Sequence, residues 1–410
     1  MGALSPLGAD TNSTFGAALA GRCAVAPAPP DIARWLPQTL VARAAAEPEP
    51  LLDKKYAGSD RATQFALVAA EEAITAANFG IRPADAERVG VYAGIGFGGA
   101  QTVDALYQRF YTSLADSANE RRNPTVMHPL SVPRMMANAP AALVSMHYGL
   151  NGPSHTYSVA CASSAVAIGE AFRAIRDGYL DAAVVIGTEA MLTPGSMLAW
   201  NALRVMAKPD AQDPARSCRP FAKNRSGFVL GEGAGAIVLE SEARAKARGQ
   251  TALAELCGYG CSSDANHLTA PSTEQQVRAM QQAIDQADLA PAQIQYLNAH
   301  GTATEVGDVI ETQSIRTVFG AAADQLMVSS TKAMHGHLIG ASGIVEFIIS
   351  VMAMNRAAVP PTATLDVADP KCDLDYVPLV ARRDCNIEAV MSNSFAFGGS
   401  NVSLVARRYP

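Results

Sequence analysis

Along residues 326–352, "LMVSSTKAMHGHLIGASGIVEFIISVM", a short apolar run leads into a glycine-rich turn and then into Ile344, Phe347, Ile348, Val351 and Met352. The i, i+3, i+4, i+7, i+8 spacing of those five predicts a helix with one buried face after a strand and a turn. "TYSVACASSAVAIGEAFRAIR" (156–176) has the same order of strand, turn and helix. A second pair of segments also repeats. "AAEEAITAANFG" (69–80) aligns with "AMQQAIDQADLA" (279–290), matching Ala69 with Ala279, Ala73 with Ala283, Ile74 with Ile284 and Ala77 with Ala287. Both read as helices, and each precedes a strand that ends in a small-residue turn, "RVGVYAGIGFGG" (88–99) and "IQYLNAHGTAT" (294–304). Such self-similarity predicts two halves of like topology. The boundary is placed after "GFVLGEGAGAIVLESEARAKARGQ" (227–250), giving residues 1–250 and 251–410. Strands alternating with helices in both halves predict an α/β fold with helices covering the sheets.

At 410 residues, 49% hydrophobic and 17% charged, the chain suffices for a large core and two domain-sized units. No apolar run approaches the roughly eighteen residues of a membrane span, and the start lacks the features of a signal peptide, so a cytoplasmic location is expected. Cys23, Cys161, Cys218, Cys257, Cys261, Cys372 and Cys385 are odd in number, scattered and free of CxxC pairs. That pattern fits neither a disulfide framework nor a zinc site. A net charge of −6 and the lack of a basic run with interleaved aromatics argue against nucleic acid as a partner. An acidic partner would need a local basic patch.

Most free cysteines pack as small hydrophobes. Cys161 stands apart because it falls where a strand meets a helix. Unpaired N–H groups and the positive helix end then lie near its sulfur, a setting expected to lower the thiol pKa. Among seven histidines, His300 in "NAHGTATEVGD" (298–308) and His337 in "STKAMHGHLIGASG" (330–343) follow strands in glycine-rich turns. Thr302 and Thr304 lie just beyond the first, and Lys332 just before the second. A lone histidine is ordinarily structural, but two in equivalent turns, with the cysteine in a third, indicate a site. In "SNSFAFGGSNVSLV" (392–405), Gly398 and Gly399 would let backbone N–H groups approach a bound carbonyl, although paired glycines also mark plain turns. "GIGFGG" (94–99) lacks the context of a dinucleotide-binding loop and reads as a tight turn beside the site.

Taken together, "GPSHTYSVACASSA", "FVLGEGAGAIVLE", "NAHGTATEVGD", "STKAMHGHLIGASGIVE" and "NSFAFGGSN" resemble, in order and spacing, the elongating β-ketoacyl-acyl-carrier-protein synthases. These are the decarboxylating condensing enzymes of fatty-acid and polyketide assembly, and the resemblance runs over nearly the whole chain. It implies a thiolase-like duplicated α/β fold in five alternating layers, and a dimer, either of two copies or of this chain with a related subunit. It further implies Cys161 as nucleophile, His300 and His337 as donors to an enolate, and Lys332 paired with Glu346 to orient them, with Asp308 as a further supporting acid. By the same resemblance, the N–H groups of Cys161 and Phe397 form the oxyanion hole, Phe397 gates the acyl group, and Thr302 and Thr304 bind pantetheine. The substrates arrive on the 4'-phosphopantetheine arm of acyl carrier protein, with no metal or bound cofactor. Arg121, Arg122, Arg204 and Lys208 match the family's docking region for that acidic carrier, and solvated surface charge explains their pattern equally well.

The sequence also departs from the family. A strand usually precedes a phrase like "MGALSPLG", here the amino terminus, so a truncated start or a missing strand is expected. His335 and Ser400 stand where threonines are common, and Ala396 replaces the glycine before Phe397. Gln101 borders the implied acyl channel at a position that is commonly apolar. A buried amide needs a partner, which suggests a shorter, unsaturated or more polar acyl chain unless Gln101 bonds the backbone. A thiolase would carry a second cysteine where Gly398-Gly399-Ser400 stands, and an initiating synthase an asparagine in place of one histidine. A non-catalytic chain-length partner would lack Cys161.

Overall fold

The computed structural model describes residues 1–80, 83–116 and 127–409. Two five-stranded mixed sheets form its centre. The first contains β1 (Gly2–Leu4), β2 (Val89–Gly94), β3 (Ser154–Tyr157), β4 (Ala182–Glu189) and β5 (Gly233–Glu240) in the order β3-β2-β4-β5-β1. The second contains β6 (Glu255–Ser263), β7 (Tyr296–Asn298), β8 (Met327–Ser329), β9 (Ala389–Phe395) and β10 (Ser400–Arg407) in the order β8-β7-β9-β10-β6. Counting strands within each sheet, both orders are 3-2-4-5-1. Orientations match too: the first three neighbours run parallel, and the last two pairings are antiparallel. The repeated helix–strand segments of the sequence are therefore one topology written twice.

Four helices define the layers. α1 (Arg61–Ala76) covers the outer face of the first sheet and α3 (Thr273–Ala287) that of the second, whereas α2 (Ser163–Arg176) and α4 (Ser342–Asn355) lie between the sheets. The result is the thiolase-like arrangement of alternating helix and sheet layers. The central position explains the composition of α2 and α4. All residues of α4 from Ser342 to Met354 are buried, so the one-sided pattern read from the sequence understates a helix enclosed on every side. Close approach requires the small residues of α2: a Cβ on Gly94 or Gly187 would fall 2.3–2.4 Å from atoms of Ser164. Ser164 Oγ in turn accepts the Ile344 N–H at 3.0 Å, joining α2 to α4.

The expectation of a missing first strand is corrected. Gly2–Leu4 occupies that position, pairing antiparallel with Ala234–Ala236, although it has three residues where its counterpart β6 has nine. Its outer edge is not left bare, because Ala3 donates its N–H to Glu72 Oε2 at 2.8 Å. Gly2 is required there, since a Cβ would meet the Ala69 carbonyl oxygen at 2.1 Å. Between the halves, β5 runs into the short helix Glu242–Ala247 and then into β6. Among the described residues no helix is long and apolar enough to cross a membrane.

Candidate active site

Cys161 lies in a tight turn, Ala160–Ala162, between β3 and α2, as the sequence pattern predicts. The turn is held from inside: Ser163 Oγ accepts the Val159 N–H at 3.0 Å and donates to the Ala160 carbonyl at 2.7 Å, with Ala160 at φ +48°. The second half repeats it before α4. Ser342 Oγ accepts the Leu338 N–H at 2.9 Å, and Ile339 stands at φ +45°. Gly340 therefore occupies the position equivalent to Cys161. A β-branched residue in the left-handed region is strained by about 1–3 kcal/mol, which marks this turn as one the surrounding structure must hold.

His337 reaches Cys161 from that second turn. Its Nε2 is 3.0 Å from Sγ, while Nδ1 is 2.8 Å from Ser342 Oγ and accepts the Ile339 N–H at 3.3 Å. A nitrogen that accepts cannot carry the proton, so the neutral imidazole keeps it on Nε2, facing sulfur. His300 lies in the turn after β7, its ring edge-on to His337 with centroids 5.4 Å apart. One donor atom from each of Cys161, His300 and His337 falls within 4.8 Å of the others. The His300 turn is clamped by Glu311, whose two carboxylate oxygens accept the His300 and Gly301 N–H groups at 2.8 and 2.7 Å.

Beneath these groups Lys332 and Glu346 form a wholly buried ion pair. Burial, reinforced by the Lys332 charge, holds His300 and His337 well below the usual histidine range, so both are neutral at neutral pH. Burial pushes the Glu346 carboxyl up to about 7 against the opposing pull of Lys332. His335, which stands where a threonine is common, is also buried, with Nε2 2.9 Å from Thr331 Oγ1 and 4.0 Å from Glu346. The expectation of a depressed thiol pKa is reversed at Cys161. Burial raises it to about 12 despite Lys332 and the N–H groups of Phe397 and Cys161 itself, so desolvation outweighs the helix end.

A cavity of 370 Å³ opens onto these side chains, with Thr302, Thr304, Asp308, Phe397 and Arg204 in its wall. Thr302 and Thr304 hold their hydroxyl oxygens 3.2 Å apart. Asp308 supports this wall from within: its Oδ2 accepts the Phe221 N–H at 2.7 Å and lies 3.8 Å from Arg225, which donates to the Thr304 carbonyl at 2.9 Å. Phe397 stacks on Trp200 at 6.4 Å, and its N–H and that of Cys161 both face Sγ. The N–H groups of Gly398 and Gly399 are committed to the Leu268 and Ala396 carbonyls at 2.8 and 3.0 Å, so the paired glycines shape the turn and do not offer these groups to a bound carbonyl.

The remaining sequence candidates lie apart. Gln101 is half-buried in the first turn of the helix Ala100–Asp116 and does not line this cavity. Lys208 is exposed beside the rim, its N–H bonded to Ser226 Oγ at 3.0 Å, and Arg121 and Arg122 lie outside the described residues. Sequence reasoning missed Glu311, Ser342 and Glu189, the last of which accepts backbone N–H groups from Gly96 and Gly340. Ser342 was within reach, because the aligned segments place "ASS" after Cys161 opposite "ASG" at the start of α4.

Comparison with known proteins places the chain in a family. The model of the beta-ketoacyl synthase N-terminal domain matches residues 1–245, and that of its C-terminal domain residues 253–366. The 3-oxoacyl-[acyl-carrier-protein] synthase 2 of Staphylococcus aureus (strain COL) is 41% identical over 420 aligned positions, covering 100% of this chain and 97% of that protein. Its namesake from Synechocystis sp. (strain ATCC 27184 / PCC 6803 / Kazusa) is 37% identical, with 100% and 97% covered. Among solved structures, a beta-ketoacyl synthase from Burkholderia phymatum STM815 is 35% identical with a TM-score of 0.88, covering 100% of this chain and 98% of that one. A type II PKS ketosynthase solved with its acyl-carrier protein is 27% identical with a TM-score of 0.90, at the same coverage. With both halves matched and the relatives aligned end to end, the chain belongs to the β-ketoacyl synthase family of condensing acyltransferases.

Proposed function

We propose that Cys161 carries the acyl group in a decarboxylative Claisen condensation with malonyl-acyl-carrier protein, giving β-ketoacyl-carrier protein, CO2 and free carrier protein. Residues 1–250 supply the nucleophile and residues 251–410 the two histidines. In the first half-reaction Sγ attacks the acyl thioester, the oxyanion faces the Cys161 and Phe397 N–H groups, and the carrier's pantetheine sulfur leaves with the proton the thiol gives up. Thr302 and Thr304 hydrogen-bond the pantetheine arm, and Phe397 gates the acyl group. In the second, the malonyl carboxylate leaves as CO2 and its electron pair enters the thioester as an enolate, which neutral His300 and His337 stabilise as donors. The enolate carbon attacks the acyl carbonyl, the carbon–sulfur bond to Cys161 breaks, and the sulfur takes a proton from solvent. Lys332 and Glu346 hold the histidines from below, and Asp308 steadies the threonine wall.

The observation that carries this reading is the 3.0 Å contact between Cys161 Sγ and the protonated nitrogen of His337. Incubation with acyl-carrier proteins of varied length and unsaturation, followed by intact mass, is expected to show a gain of one acyl group. No gain with any donor would sink the reading. A chain-length partner without a nucleophile is not favoured, because Cys161 is present between both histidines. Gln101 follows Ala100, which packs in one apolar cluster with Cys161, and this neighbourhood supports a shorter, unsaturated or more polar chain, in fatty-acid elongation or in specialised polyketide or polyene extension.

Arg204 and Lys208 are exposed at or beside the cavity rim and make no ion pair among the described residues, which suits docking of an acidic carrier protein. Reversing both charges is expected to raise the KM for acyl carrier protein by about tenfold with kcat nearly unchanged; an unchanged KM would remove them from the docking surface. Arg121 and Arg122 belong to the same proposal. Exposed Phe97, Tyr107, Tyr111 and Val132 support pairing with a second copy or a related subunit. Two structures similar to this chain pair a ketosynthase with a chain length factor. The cytoplasm is the proposed location.

A further inference from the structure

Glu189 ends β4 with its carboxyl group wholly buried, and no step of the proposed reaction uses it. Its Oε2 accepts the Gly96 N–H at 2.8 Å and the Gly340 N–H at 3.1 Å, and Oε1 takes that of Phe97 at 3.4 Å. The duplicated topology gives these contacts a meaning. Gly94 is opposite Gly187 in the first sheet and Asn298 opposite Ser392 in the second, so Gly96–Phe97 stands where His300–Gly301 stands in the other half. In each half one buried glutamate holds the two N–H groups of that turn, Glu189 in the first and Glu311 in the second. Glu311 also accepts from Asn393 in its own half at 3.4 Å, whereas Glu189 reaches across to the other half, to Gly340, the counterpart of Cys161.

Gly340 follows Ile339, the strained residue whose N–H keeps the His337 proton on Nε2. A Cβ on Gly96 or Gly340 would sit 2.5 or 2.9 Å from Glu189 Oε2, so both positions are shaped to admit the carboxyl group. We propose that Glu189 is a positioning residue for His337: by holding the Gly340 N–H it fixes the turn that aims the imidazole Nε2–H at the reacting atoms. The proposal rests on the role given to His337 above. Burial pushes the Glu189 carboxyl up to about 8 against its three N–H donors, and the negative charge of Asp60, at the start of α1, acts in the same direction. The carboxylate form, which accepts hydrogen bonds more strongly, therefore gains population as pH rises through that value, tightening the turn.

The test is Glu189→Gln in the full chain, with malonyl-carrier decarboxylation measured from pH 7 to 9 and acyl loading of Cys161 measured by intact mass. Decarboxylation kcat is expected to fall tenfold or more at pH 8.5, with KM within twofold, loading unchanged, and the wild-type rise near pH 8 lost. A variant with wild-type kcat and pH profile, whatever its melting temperature, overturns the proposal, as does an equal loss of loading and decarboxylation. If wild type loads no acyl group and decarboxylates no malonyl carrier, the parent reading fails and this one falls with it. Should Glu189→Gln not fold, nitrogen-15 histidine spectra of wild type decide. The His337 signals, assigned with His337→Asn, are expected to shift with a midpoint near pH 8, and signals flat across that range overturn the proposal.

Discussion

Cys161→Ala is expected to abolish acyl loading and to lower condensation by about 10⁴-fold or more, the usual scale for loss of a covalent nucleophile. Malonyl decarboxylation should persist. The groups that would stabilise the enolate are His300 and His337, and both have anchors besides the sulfur that His337 Nε2 touches: Glu311 clamps the His300 turn, and Ser342 and Ile339 fix His337 through Nδ1. With no acyl carbonyl to attack, the enolate carbon takes a proton and leaves as acetyl-carrier protein. Assays of loading by intact mass, condensation by product mass and decarboxylation by CO2 release separate the three. Condensation surviving in Cys161→Ala would exclude Cys161 as the acyl carrier. Loss of decarboxylation along with condensation would mean that the thiol organises the histidines, contrary to the contacts just described.

Lys332→Ala is expected to cost about 3–5 kcal/mol of stability, the range for breaking a buried ion pair from one side. Both partners are fully buried, and Glu346 Oε2 has no hydrogen-bond partner among the described residues, so the carboxyl would be left without compensation. The pH dependence follows from Glu346. Its folded pKa is about 7, above the ordinary carboxylate value, because of burial; Lys332 opposes that rise, so removing Lys332 lifts it further. A raised folded pKa means that the folded state holds a proton the unfolded state has released. Stability then falls as pH rises from the unfolded toward the folded value, and is recovered as pH is lowered through that window. The deficit of Lys332→Ala, measured by denaturant unfolding, should therefore be larger at pH 8 than at pH 5.5. Lys332→Met combined with Glu346→Gln should recover at least half of it, since no buried charge remains. A deficit independent of pH and unrelieved by the double change would assign the loss to packing alone. The variant should also be less active, because the Lys332 charge adds to the burial that keeps both histidines neutral.

Much of the fold was legible because a duplication leaves its mark in hydrophobic spacing. The paired helices at 69–80 and 279–290 and the paired strand–turn–helix units predicted two like halves, and both sheets have the strand order 3-2-4-5-1. The apolar face of α4 was visible, but its complete burial was not, because enclosure depends on the second sheet and not on local periodicity. The first strand was misjudged for a related reason. Three residues carry too little pattern to register, yet Gly2–Leu4 finds a partner strand in β5 and a side-chain acceptor in Glu72.

By itself the sequence determined the residue types of the site and the turns that hold them: a cysteine after β3 and histidines after β7 and before α4, with the lysine–glutamate pair implied by the family resemblance. Tertiary structure decided their chemical states. The thiol rises to about 12 because burial outweighs a helix end and a lysine, and the histidines become neutral for the same reason. It also committed the N–H groups of the paired glycines to the Leu268 and Ala396 carbonyls while those of Cys161 and Phe397 face the sulfur, and it brought Glu189 onto Gly340, 151 residues away. Desolvation and hydrogen-bond saturation depend on everything that surrounds a group, and neighbours in space are set by how the two halves close on each other, which no local stretch of sequence records.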